Sequence, residues 1–285
     1  MTTVIREPAE FRRACDDARR ASGRVGLVPT MGALHAGHLS LVDEASRRAD
    51  FLAVTIFVNP LQFAADEDLQ RYPKTLEHDL QSCQQRGVDV VFAPDTDAMY
   101  PDCFQTQVRV AELAKPLEGV FRPTHFEGVT TVVAKLFNLT GPCAAVFGRK
   151  DYQQWKVLCR MVGDLDMPIE VVGCPIVREP DGLALSSRNR YLSEADRHRA
   201  LAIVEGLRAA HDAWEHGERK PSVLENAAAT PVEAVFDRID YVAAVDPETL
   251  EPSATSPERL LIAAAAHLGS TRLIDNVVLG EDPRP

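Results

Sequence analysis

Basic charge is scarce in this sequence: 31 Lys and Arg stand against 42 Asp and Glu, a formal net charge of -11. A polynucleotide ligand asks for a basic face, so DNA and RNA are disfavoured, while a local pocket for a small anion stays open. Paired cysteines are also missing. The six present (Cys15, Cys83, Cys103, Cys143, Cys159, Cys174) are scattered without a CxxC, and several lie in apolar runs. Buried free thiols are therefore favoured over disulfides or a zinc site. The longest apolar runs, such as Leu52 to Val58, fall far short of a membrane span. The opening MTTVIREPAEFRR has no signal-like apolar stretch, and neither repeats nor low-complexity segments interrupt the chain. A soluble protein of a reducing cytoplasm, with no membrane and no nucleic-acid partner, is the expectation.

What is there is ordinary in bulk and informative in pattern. A chain of 285 residues that is 45% hydrophobic and 26% charged can bury a sizeable core as one large domain or two. Arg24 to Pro29 reads as a short buried strand, TMGALHAGH as a glycine-punctuated turn, and the following HLSLVDEASRRAD as a helix with Leu39, Val42 and Ala45 on its apolar face. Phe51 to Val58 is a near-continuous apolar run, which parallel sheets bury on both faces. The alternation continues with helices at Thr75 to Arg86 and Val129 to Leu139. Strands are expected at Val88 to Phe92, Ala144 to Phe147 and Ile169 to Val172, with a further helix opening at Asp151. Alternating β and α elements predict an α/β fold, a doubly wound Rossmann-like parallel sheet with its ligand at the carboxyl ends of the strands. After about Val177 the texture changes. Ser193 is placed to cap one long helix, Pro221 and Pro231 punctuate a second, and short strands follow at Asp240 to Val245, Leu260 to Ala265 and Arg272 to Val278. The expected division is a domain over 1–177 and a smaller α+β C-terminal domain over 178–285.

Three clusters carry possible chemistry. His35 and His38 fall where a strand feeds a helix, three apart and so on one face, with Gly37 between them to let a ligand approach the backbone. A helix start presents unpaired N–H groups and the positive end of its dipole, which together bind phosphate. HxxH alone is more often two solvated histidines in a cap; the strand–turn–helix setting reverses that preference. Ser186, Ser187 and Arg188 combine two hydroxyls with a guanidinium that can fork onto phosphate oxygens, although such a loop in isolation is more often a polar helix cap. Lys150, after Phe147-Gly148-Arg149, stands at the predicted end of a strand, where a lone lysine is usually just solvated. None of the three decides the matter singly.

TMGALHAGH, IFVNPLQF, RPTHFEGV, FGRKDYQQ and GLALSSRNRYL occur in one order and spacing across about Gly26 to Leu192. In this the chain resembles the pantothenate synthetase (pantoate–β-alanine ligase) family, and its total length matches. HAGH is similar to the HxGH signature of the wider nucleotidyltransferase superfamily, and SSRN sits where class I aminoacyl-tRNA synthetases of that superfamily carry their phosphate loop. The resemblance implies a ligase that uses ATP and Mg2+ to join pantoate to β-alanine through an adenylate, as a cytoplasmic homodimer, with the C-terminal domain acting as a lid. It places Met31, Gly32, Ala33, Leu34, His35, Ala36, Gly37 and His38 along the ATP, with His35, His38 and Lys150 in the catalytic role. Gly148 and Asp151 would hold the ribose and Val177 the adenine. Arg149 and Leu185 join that site, and Lys150, Ser186, Ser187 and Arg188 would grip the phosphates. Gln62 and Gln154 would hold pantoate, their amides suiting a hydroxy acid. Asp79 is the acidic residue associated with metal; its neighbour His78 and the nearby Ser82 depart from the pattern, as does Arg149. Arg122 and His125 lie in a family motif without an assigned role. A nucleotidyltransferase with a stable adenylated product and a nucleotide-binding regulatory module are the competing readings.

Overall fold

A computed structural model describes residues 2–64, 68–253 and 257–285. The chain divides into two compact units. The first comprises Met1–Ala114, Arg122–Arg149 and Gln154–Pro175; the second comprises Lys115–Phe121, Lys150–Gln153 and Ile176–Pro285.

The first unit is built on six parallel strands, β1 (Thr3–Ile5), β2 (Val25–Thr30), β3 (Phe51–Ile56), β4 (Val90–Phe92), β5 (Cys143–Gly148) and β6 (Ile169–Cys174), in the order β1-β4-β3-β2-β5-β6. Strand side chains alternate between faces, and the core shows it. Leu27, Ala53, Phe92 and Ala145 join one apolar cluster, while their neighbours Val28, Val54, Val91 and Val146 join another. On the first face pack α1 (Pro8–Arg20), α6 (His125–Thr140) and α7 (Tyr152–Asp164), through Phe11, Val133, Phe137, Leu158 and Met161. On the second pack α2 (Ala36–Ser46) and α3 (Leu76–Gln85), through Leu41, Val42, Ala45 and Cys83; the one-turn α4 (Thr96–Met99) follows β4, and the one-turn α5 (Glu118–Phe121) belongs to the second unit. Each fully buried Val, Leu or Phe contributes about 1.5–3 kcal/mol, so the two-sided burial explains the apolar runs. Winding outward from β2 in one direction and from β5 in the other puts the reversal of strand order between these two neighbours. A doubly wound sheet opens its ligand crevice at the carboxyl ends of such a pair.

The second unit holds an antiparallel sheet of β7 (Arg238–Val245), β8 (Leu260–Leu268) and β9 (Thr271–Leu279). Leu260, Ile262, Ala264 and Ala266 of β8 share a core with Leu207 and Trp214 of α9 (Leu201–Glu215) and Leu224 and Ala228 of α10 (Pro221–Val235). One expectation needs correction. The single helix begun by Ser193 is two, α8 (Glu194–Arg199) and α9, because Ala200 N–H bonds back to Asp196 O in a closing turn and Ile203 N–H returns to Ala200 O. Ser193 caps the first of them, its hydroxyl accepting from Asp196 N–H. At the other end of the chain, β1 and α1 had no counterpart in the sequence reading. β1 is three residues long and supplies only Ile5 to the buried set, too little pattern to read.

Among the described cysteines, Cys15, Cys83, Cys143 and Cys174 are buried free thiols, Cys159 is half-buried and Cys103 exposed. Burial pushes the Cys15 and Cys143 thiols up to about 12 and that of Cys83 to about 11. No helix among the described residues is long and apolar enough to cross a membrane.

Candidate active site

The turn that leaves β2 is strained and tightly held. Gly32 has φ +83° and Ala33 φ +52°, both left-handed, a conformation that costs an ordinary residue about 1–3 kcal/mol. Asp79 in α3 offsets that cost. Its carboxylate, buried among these residues, accepts from Ala33 N–H at 2.9 Å, Leu34 N–H at 2.8 Å and the Thr75 hydroxyl at 3.1 Å. The angle at position 32 favours glycine, and a Cβ there would also be tight, 3.1 Å from Asp79 Oδ2 and 3.0 Å from Ile56 Cγ2. Asp79 thus shapes the turn. With both oxygens engaged in this way it does not fit a protein-held magnesium, and no group of three or more His, Cys, Asp or Glu among the described residues is arranged to hold a metal.

The same turn delivers His35 as the N-cap of α2. His35 Nδ1 accepts from Gly37 N–H at 3.1 Å, and His38 Nδ1 accepts from His35 N–H at 3.4 Å, a reciprocal capping box made of two imidazoles. Their ring centroids are 4.1 Å apart. An acceptor nitrogen carries no proton, so each neutral ring bears its hydrogen on Nε2. The cap therefore fixes two ring N–H donors at a helix start, where N–H groups and dipole already favour an anion.

Gln62 is held from several sides. Asn59 donates from Nδ2 to Gln62 Oε1 at 3.0 Å and to Gly128 O at 3.1 Å, while Asn59 Oδ1 accepts from the Tyr100 hydroxyl at 2.8 Å. With its oxygen occupied, the Gln62 amide donates from Nε2 to Met31 Sδ at 3.2 Å. The Gln62 carbonyl lies 2.9 Å from His125 Nδ1 and accepts from Arg122 at 3.4 Å. Gly128 allows this approach: a Cβ there would stand 2.3 Å from Leu61 O. These contacts give Arg122 and His125 a positioning task that the sequence did not assign. A cavity of about 470 Å³ opens beside the turn, lined by Met31, Gly32, Phe57, Lys74 and Asp79 among others. That volume suits a small organic ligand.

Gly148 ends β5, the neighbour of β2, and Arg149 follows it, so both lie at the switch point with the histidine turn. Of the adjacent glutamines, Gln154 is half-buried early in α7. Gln153 is spent within the second unit, where its amide donates to Pro116 O at 2.7 Å and accepts from Glu118 N–H at 3.0 Å. In the second unit Val177 pairs with Leu185, whose N–H donates to its carbonyl at 3.0 Å, across a hairpin with a bridge between Arg178 and Ala184. The hairpin runs into Ser186, which caps the turn Ser187–Tyr191 by accepting from Arg188 N–H at 3.3 Å. Lys150 is half-buried, and Asn276 of β9 donates to its carbonyl at 2.8 Å. Asp151 is exposed. Asn59, Tyr100, Arg178, Asp275 and Asn276 hold parts of these segments without having been assigned a role from sequence. For the last two a signal existed, a polar pair set inside the apolar β9.

A doubly wound parallel sheet with an HxGH helix start at its switch point, followed by a smaller α+β unit, defines a Rossmann-like protein built to hold a ligand at the carboxyl ends of its strands. The model of the pantoate-beta-alanine ligase family matches residues 3–278, and the chain belongs to that family. It is 51% identical to pantothenate synthetase 1 of Bradyrhizobium diazoefficiens over 98% of this chain and 99% of that one. The fold is similar to the crystal structure of the Thermus thermophilus pantothenate synthetase, with a TM-score of 0.92 at 46% identity, covering 97% of this chain and 99% of that chain. It is also similar to the Francisella tularensis pantoate-beta-alanine ligase complexed with beta-gamma ATP and beta-alanine, with a TM-score of 0.79 at 32% identity over 100% of both.

Proposed function

We infer that the chain catalyses the ATP-dependent condensation of (R)-pantoate with β-alanine, giving pantothenate, AMP and pyrophosphate through a pantoyl adenylate. The observation that carries this reading is the reciprocal His35–His38 cap at the end of β2, in a chain matched by the ligase family over residues 3–278. A carboxylate is a poor acyl donor because its leaving group would be oxide. Attack of a pantoate carboxylate oxygen on the α-phosphorus breaks the bond to the β-phosphate oxygen, and pyrophosphate departs. The β-alanine nitrogen then attacks the acyl carbon and loses a proton; the acyl C–O bond breaks and AMP leaves.

This chemistry needs no covalent nucleophile. It needs two mutually repelling anions aligned and the charge growing on phosphorus stabilised, which fixed donors supply without reorganising. His35 and His38 would direct their Nε2–H groups at that charge. Lys150, Ser186, Ser187 and Arg188 would hold the phosphates, Gly148 and Asp151 the ribose, and Val177 the adenine. Gln62, its oxygen held by Asn59 and its nitrogen engaged only by the weak acceptor Met31 Sδ, would donate to an oxygen of pantoate, with Gln154 as its companion. Magnesium belongs to this reading as an ion carried by the phosphate oxygens rather than by a protein cage. A homodimer, a cytoplasmic location, and 1–177 and 178–285 as catalytic and lid domains complete it.

The test is incubation of the purified chain with ATP, magnesium and pantoate, with and without β-alanine. Pyrophosphate release that requires pantoate, with free AMP and pantothenate forming only after β-alanine is added, is the expected result. A stable adenylated product that β-alanine does not consume would favour a nucleotidyltransferase, and no pantoate-dependent release from folded protein would remove the substrate assignment.

A further inference from the structure

Two consecutive polar residues, Asp275 and Asn276, interrupt β9, each only 4% exposed and flanked by the buried Leu273, Val277, Val278 and Leu279. Across the sheet they face Ala264 and Ala263, which leave room but no polar partner. Placing a carboxylate and an amide there is costly unless both are satisfied. The way they are satisfied is specific. Asn276 donates to the carbonyl of Lys150, 126 residues away in sequence, at 2.8 Å. Asp275 forms a two-pronged ion pair with Arg178, at 2.6 and 3.0 Å, 97 residues away. Arg178 in turn donates to Gly182 O at 3.0 Å and to Asn276 O at 3.4 Å. Its fork thus braces the hairpin that runs from Val177 to Leu185 and delivers Ser186, Ser187 and Arg188.

We propose that Asn276 and Asp275 are positioning residues for the nucleotide: Asn276 fixes the backbone from which Lys150 projects, and Asp275, through Arg178, fixes the hairpin that presents Ser186, Ser187 and Arg188. The claim rests on the proposed reading that these four residues grip the ATP phosphates. Both segments lie in the second unit with β9, so a single strand sets the register of both. Neighbouring side chains on a strand point to opposite faces, which is how one dipeptide can serve two segments. A donor placed on a backbone carbonyl also constrains the main chain whatever the lysine side chain does. That is the requirement for a cation that must meet charge developing on phosphorus in one geometry. Arg178 is suited to its part because a guanidinium can bond two carboxylate oxygens and two carbonyls in one plane, which an ammonium cannot.

A purely structural polar pair would lower stability when removed and leave ATP kinetics intact, so the experiment must separate the two. Steady-state pyrophosphate release by the full chain is measured at varied ATP and at varied pantoate for wild type, Asn276→Ala, Arg178→Lys, Lys150→Ala and the Asn276→Ala/Lys150→Ala double variant. Asn276→Ala should lower kcat/KM for ATP by about 10²-fold, the scale of a small misplacement of a catalytic group, with the KM for pantoate unchanged. Arg178→Lys, which retains the charge and loses the fork, should fall in the same direction by less. In the Lys150→Ala background Asn276→Ala should add almost nothing, since it acts through that residue. Equal losses in the two backgrounds, or a lower melting temperature with unchanged ATP kinetics, overturn the proposal. Calorimetric titration with a non-hydrolysable ATP analogue keeps the claim separate from the reaction assigned. If wild type releases no pyrophosphate with pantoate, weaker analogue binding by Asn276→Ala and Arg178→Lys still supports the positioning role, and unchanged binding by both overturns it.

Discussion

His35 and His38 cap one another across three residues of chain, whereas Lys150 and the Ser186–Arg188 loop owe their setting to β9, 126 residues from the one and 97 from the arginine that braces the other. The first arrangement is a helix start that any local segment with the right turn could attempt. The second exists only once a three-stranded sheet has formed. Local capping makes a site legible and quick to assemble; long-range bracing makes it depend on the fold of its whole unit. The contrast has a limit. The histidine turn also leans on Asp79, 46 residues from Ala33, because the left-handed Gly32 and Ala33 are held in place by a carboxylate that accepts the Ala33 and Leu34 N–H groups.

The largest effects test whether both arrangements serve one reaction. His38→Ala and Lys150→Ala should each lower turnover by about 10²–10³-fold with the fold intact, the loss expected for one preorganised electrostatic contact. A folded His38→Ala protein with near-normal turnover would end the catalytic role of the cap. Next comes the limit of the comparison itself. Asp79→Ala removes the carboxylate acceptor of two buried N–H groups, at about 1–3 kcal/mol each, so denaturant midpoint and turnover should fall together. A variant that only needed more magnesium, at full stability, would instead return Asp79 to a metal role.

A smaller effect isolates Gln62. Gly128→Ala sets a methyl 2.3 Å from Leu61 O, and the displaced turn should raise the KM for pantoate by about tenfold while ATP kinetics stay unchanged. An unaltered KM for pantoate would remove the Asn59–Gln62 turn from the site. The smallest effect concerns the second unit alone. His267 lies 3.1 Å from Asp240, with Arg238 and Arg272 also facing it. Burial lowers the His267 pKa from 6.5, with Asp240 opposing. Asp240 itself lies below 3.8: burial works against that shift, but Arg272 and His267 outweigh it. Both groups bind fewer protons folded than unfolded, so stability is full above the unfolded histidine value and declines as pH falls through the folded one. The Asp240 share is lost only at stronger acid. Melting temperature should fall slightly from about pH 7.5 to about pH 5, and His267→Asn should flatten that slope. An identical slope in the variant would assign the effect to other groups.

Most of the parallel sheet could be read from the sequence because runs such as Phe51–Ile56 are buried on both faces and leave an unbroken apolar signature. The histidine cap could be read for a similar reason, since strand, turn and helix follow one another without interruption. The braces could not. Nothing near Lys150 announces that Asn276 will hold its carbonyl, and nothing near Gln62 announces Tyr100, which reaches it through Asn59. Asp79 was visible as an acidic residue beside a functional motif, yet its task depends on a turn geometry that sequence spacing does not encode. The interruption at Ala200 was hidden because a helix and a closing turn share the same apolar spacing.

The central claim is that a pantoate carboxylate oxygen becomes bonded to the α-phosphorus of ATP. The direct measurement is to supply pantoate labelled with oxygen-18 in its carboxylate, together with ATP and β-alanine, and to weigh the AMP released. The account predicts AMP carrying one heavy oxygen, because the acyl C–O bond is the one that breaks when the amine attacks. Unlabelled AMP formed alongside pantothenate would contradict the adenylate and with it the task assigned to the histidine cap and the residues braced by β9.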